Sequence, residues 1–73
     1  MEMTLKMYLQ HHYGSLTACA EAIEVTRQTL HNYVTKDPEG VLRHTSRLLQ
    51  NENITPQDLI RAVLNTQNQH EAI

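Results

Sequence analysis

Seventy-three residues, one cysteine and a net charge of −2 describe one small domain near the lower limit for a core without staples, and exclude a disulfide framework. The segment "MEMTLKMYLQ" does not read as a signal peptide and no apolar run approaches membrane-spanning length, so a soluble intracellular chain is expected. Thr4 caps a first helix with the stripe Leu5, Tyr8, Leu9 and Tyr13, and Gly14 ends it in a left-handed conformation. Ser15 caps a second helix, on which Leu16, Cys19, Ala20 and Ile23 fall within about 100° of one another, a coherent buried stripe.

The pattern breaks at Glu24 and Val25, and Thr26 caps a third helix whose inward face is Leu30, Tyr33 and Val34. Asp37, Pro38 and Glu39 read as cap, first-turn proline and first-turn acid of a fourth helix, with Leu42, Thr45, Leu48 and Leu49 inside. Gly40 weakens its first turn, and "GVLRHTSRL" admits a weaker strand reading. Thr55, Pro56 and Asp58 start a fifth helix with the stripe Leu59, Ile60, Val63 and Leu64, preceded by Ile54. Most of that stripe closes the core, and part of it, or Val41 and Leu42, is left for a partner. The expected fold is all-α, a compact bundle of about five short helices over residues 1–68, with a frayed polar tail at 69–73.

Charge is unevenly placed. Residues 26–36 carry Arg27 and Lys36 and no acid, while the segments on either side are each net acidic. Within that window Arg27, Gln28, His31 and Asn32 share the outer face of the third helix, opposite Leu30 and Val34. Arginine can donate two hydrogen bonds to guanine, and glutamine and asparagine can each bond adenine through two. Histidine donates or accepts according to its tautomer. Four hydrogen-bonding side chains with no acid among them fit base readout better than a merely solvated face.

The second and third helices are short, joined by about three residues, and carry small Ala20 where they would cross, which is a helix-turn-helix signature. The stretch "TACAEAIEVTRQTLHNYV" resembles the helix-turn-helix of the phage Cro/repressor family. The residues carrying the resemblance are Ala20, Ile23 before the turn, Val25 after it, the Thr26 cap and the inward anchor Leu30. The turn position before Val25, usually glycine in that family, is Glu24 here, so a strained left-handed turn is expected.

The resemblance implies a lambda-repressor-like DNA-binding domain and a sequence-specific transcriptional regulator. Arg27, Gln28, His31 and Asn32 would touch bases. Ser15, Thr17, Thr26, Thr29, Thr35 and Lys36 flank them as candidates for phosphate contact. The implied partners are a pseudo-palindromic double-stranded operator and a second copy of the chain, at least on DNA. The implied setting is the cytoplasm of a bacterial host cell, or its nucleoid.

No enzyme activity, cofactor, metal or small-molecule ligand is expected. Adjacent His11 and His12 diverge by about 100° on a helix, no zinc-ligand spacing occurs, and Cys19 lies on a buried stripe. A second reading is a helical protein-interaction module, an antirepressor or accessory factor built on the same scaffold. Net acidity and Glu24 favour it.

Overall fold

Hydroxyl side chains open each of the first three helices. The computed structural model describes residues 3–71, with side chains through residue 68. Thr4 Oγ1 accepts from the Met7 N–H at the head of α1 (Leu5–Tyr13), and Ser15 Oγ from the Ala18 N–H at the head of α2 (Leu16–Ala22). Thr26 Oγ1 accepts from the Thr29 N–H at the head of α3 (Arg27–Thr35). These bonds satisfy N–H groups that have no partner inside the helix, and fix where each helix begins. Gly14, at φ 86°, ends α1 by donating its N–H to Gln10 O.

The fourth helix departs from the expected form. Pro38–His44 winds as a 3-10 helix that passes into a single α turn, α4 (Thr45–Leu48). Asp37 makes no capping hydrogen bond. Gly40 lets this segment lie close on α3: it sits against the Tyr33 ring, so closely that a Cβ there would collide with Cε1 and Cδ1. The tighter helix also changes the inner face, because side chains three apart eclipse one another. Val41 and Leu48 are fully buried, whereas Leu42 and Leu49, expected inside, are exposed. The strand alternative for this stretch is not realised.

Thr55 Oγ1 accepts from the Asp58 N–H at the start of α5 (Pro56–Glu71). Its buried stripe is Leu59, Ala62, Val63 and Thr66, turned away from the expected Ile60 and Leu64, which are half exposed. Small Ala62 and hydroxyl-bearing Thr66 draw the helix toward the chain start. Thr66 Oγ1 accepts from the Leu5 N–H at 2.8 Å and donates to Ala62 O at 3.0 Å, while Asn65 Nδ2 donates to Met3 O. An otherwise orphaned N–H of α1 is thereby met inside the core. The α5 backbone is helical through Glu71, and of the tail expected at 69–73 the side chains and residues 72–73 lie outside the described residues.

α1 packs on α2 and α5, α2 on α3, and the 3-10 helix bridges α3 and α5. Leu5, Leu9, Cys19, Ile23, Leu30, Val41, Leu48 and Leu59 form the shared centre. Burial pushes the Cys19 thiol up to about 11, so it acts as a small core residue. No strand occurs among the described residues, and the radius of gyration is 11.1 Å. The protein is a small all-α bundle.

Candidate nucleic-acid interface

α2 and α3 meet through a three-residue turn, Ile23 to Val25, before the Thr26 cap. Two hydrogen bonds close the end of α2: Val25 N–H donates to Ala20 O, and Glu24 N–H to Glu21 O. This is a Schellman closure, which requires a left-handed residue between the helix end and the next segment. Glu24 takes that place at φ 60°. It is the one non-glycine residue with positive φ among the described residues. Val25 then packs against the core, and the chain leaves directly into α3.

Glu24 forms an ion pair with Arg47 of α4. Both groups are substantially exposed, so the pair contributes on the order of 0.2–1 kcal/mol. Its larger effect is local: the carboxylate beside the head of α3 has a guanidinium against it. The inward side of α3 is fixed by buried Leu30 and Val34, and by Tyr33. The Tyr33 hydroxyl shares a 3.2 Å hydrogen bond with His44 Nε2, and the two rings lie 5.7 Å apart. The Tyr33–Gly40–His44 clasp was missed by sequence reasoning, and the glycine inside a predicted helix was its only signal.

Anchored on that side, α3 presents Arg27, Gln28, His31 and Asn32 to solvent, all exposed. None of the four side chains is hydrogen-bonded to another described residue, and Arg27 and Lys36 pair with no carboxylate among the described residues. An open hollow of about 560 Å³ lies over this face, lined by Leu16, Arg27, Gln28 and His31. The structure thus gathers three of the four predicted base-contacting residues around one depression, with Asn32 outside its lining.

The phosphate candidates divide by hydroxyl chemistry, because a phosphate oxygen needs a donor. Thr35 Oγ1 already donates to His31 O at 2.7 Å, and Thr26 Oγ1 donates to Thr29 Oγ1 at 2.9 Å. Both protons are engaged within the helix. The Ser15 and Thr29 hydroxyls act as acceptors in their hydrogen bonds and keep a proton to give. Thr17 and Lys36 are exposed.

Elsewhere, the His11 and His12 rings lie edge to face at 5.0 Å, and no cluster of three potential metal ligands occurs among the described residues. No helix among them is long and apolar enough to cross a membrane. No protein-family model, curated protein or solved structure matches the chain.

Proposed function

We propose that this chain is a sequence-specific DNA-binding regulator of the Cro/repressor type, which lays α3 in the major groove of an operator and acts by occupying it. The observation that carries the reading is the outer face of α3. It offers four exposed side chains with unengaged hydrogen-bonding groups and no acid, on a helix held from behind by Leu30, Val34 and the Tyr33 clasp. Base readout needs side chains held in a defined orientation, and the packing of Leu30, Val34 and Tyr33 fixes which way this face points. The Glu24–Arg47 pair supports the same reading, since it offsets the acid nearest the expected phosphates.

The regulator works on this reading as a dimer in the cytoplasm, without cofactor or catalytic chemistry. Its second copy would meet Leu42, Ile60 and Leu64, three of the five large apolar residues that core closure leaves exposed among the described residues. Selection from random duplexes tests the function directly, and should return a pseudo-palindromic site. Gln28→Ala with Asn32→Ala is the sharper probe, because neither residue adds charge. The double variant should keep its thermal stability and relax preference at specific base positions, each lost bidentate contact costing about 1–3 kcal/mol. Lys36→Ala should instead weaken all sequences alike and lower the salt slope by about one unit. If the double variant keeps both its stability and its sequence preference, Gln28 and Asn32 are solvated and do not read bases; if selection returns no preferred duplex, a protein-interaction module replaces the DNA reader.

A further inference from the structure

The hollow over α3 has one apolar wall in an otherwise polar lining, and that wall belongs to a different helix. Leu16 is the first residue of α2, half buried and packed on the core, yet it lines the same depression as Arg27, Gln28 and His31. Arg27 and His31 lie one turn apart on α3 with Gln28 beside Arg27, so the three frame the space that Leu16 closes.

An apolar surface set among donors at a helix surface has a specific counterpart in the major groove. Adenine and guanine offer N7 with N6 or O6 at their edges, and thymine offers O4 with the C5-methyl group. A purine-reading arginine or glutamine therefore works within reach of a neighbouring pyrimidine's C5 position. Resting on the DNA-binding reading above, we infer that the Leu16 hollow is a subsite for a pyrimidine C5-methyl group, framed by purine contacts from Arg27 and Gln28. Thymine and 5-methylcytosine both carry this group. Leu16 is then a specificity-determining residue outside the recognition helix. Its contribution does not depend on any hydrogen bond, so it discriminates thymine from uracil, which the polar row cannot do.

The test uses the whole chain and the duplex obtained by site selection. Each thymine is replaced in turn by deoxyuridine, and at the thymine that responds the pair is exchanged for cytosine–guanine with and without the 5-methyl group. Removing the one methyl group that enters the hollow should weaken binding about fourfold, the equivalent of one buried methylene-sized group. Leu16→Ala should bind the thymine and deoxyuridine duplexes equally while melting as a folded protein. Leu16→Val, a smaller truncation, should show reduced discrimination and serves if the alanine variant does not fold. At the thymine so identified, a 5-methylcytosine–guanine pair should bind more tightly than a cytosine–guanine pair, since the two differ only in the methyl group; equal binding would overturn the methyl-group assignment. The inference is overturned if deoxyuridine is neutral at every position, or if the Leu16 variants discriminate as the unaltered protein does. In either case site-specific binding persists and the DNA reading stands. Absence of any preferred duplex would overturn that reading and the subsite with it.

Discussion

Glu24 holds a conformation that suits glycine, and the surrounding bonds show why it persists. Two backbone hydrogen bonds close the end of α2 only if this residue is left-handed. That conformation costs a non-glycine residue about 1–2 kcal/mol, against the small gain from Arg47. Glu24→Gly should therefore stabilise the fold by up to about 1 kcal/mol after the extra freedom of an unfolded glycine is subtracted. A rise of several degrees in Tm checks this; Glu24→Ala, which keeps the strain and loses the ion pair, should lower it. His12 gives a second outcome at this scale. Burial, then the neighbouring His11, lowers its pKa from the usual 6.5, while Asp58 opposes them weakly. The folded state thus favours neutral His12. Its contribution is complete above about pH 6.5 and lost as pH falls through the lowered value. Stability measured across that window should decline toward acid, and His12→Gln should flatten the decline.

Where a helix is started by its own neighbours, the sequence is enough to place it. Thr4, Ser15, Thr26 and Thr55 each bond an N–H three residues ahead, and all four starts were legible without tertiary knowledge. The turn at Glu24 was legible for the same reason, and so was the outward row on α3, which follows from the positions of Leu30 and Val34. The 3-10 helix was not, and neither was the close approach of Gly40 to Tyr33, which joins two elements. In α5 the expected Leu59 and Val63 are buried, but hydropathy also favours Ile60 and Leu64, whereas packing selects Ala62 for its size and Thr66 for its hydroxyl. The clasp yields a prediction at this scale. Gly40→Ala should force Tyr33 aside and destabilise the bundle by about 1–3 kcal/mol. Adding Tyr33→Leu should recover part of that loss, since the obstruction is the ring edge. Equal melting curves for Gly40→Ala and the unaltered chain would mean that the Tyr33 ring yields to a Cβ at no cost.

At the scale of the whole molecule, the proposed DNA reading has to account for specificity in so small a chain. One recognition helix spans about half an operator, and two copies related by a two-fold axis must set their α3 helices about 34 Å apart. The molecule measures 32 × 24 × 21 Å, so two copies side by side suit that spacing. The apolar surface available for pairing follows from the core. In α5, Ile60 and Leu64 lie one turn apart at 49% and 50% exposure, and Gln67 on the next turn donates to Glu39 of the 3-10 helix. Leu42 lies three residues beyond Glu39, on the same side of that helix. The Gln67–Glu39 hydrogen bond joins the side of α5 that carries Ile60 and Leu64 to the side of the 3-10 helix that carries Leu42. Three half-exposed side chains fall well short of the roughly 800 Å² per partner of a standard interface. Pairing in free solution should then be weak, with duplex DNA supplying the missing proximity. Ile60→Asp with Leu64→Asp should leave the fold intact, because neither side chain is buried, and should leave binding to a single half-site nearly unchanged. On the full site it should abolish cooperative occupancy, so that two copies bind independently and with the affinity of the half-site. Titrations of one-half-site and two-half-site duplexes read this directly. If the double variant still binds the full site cooperatively, this flank is not where the copies meet.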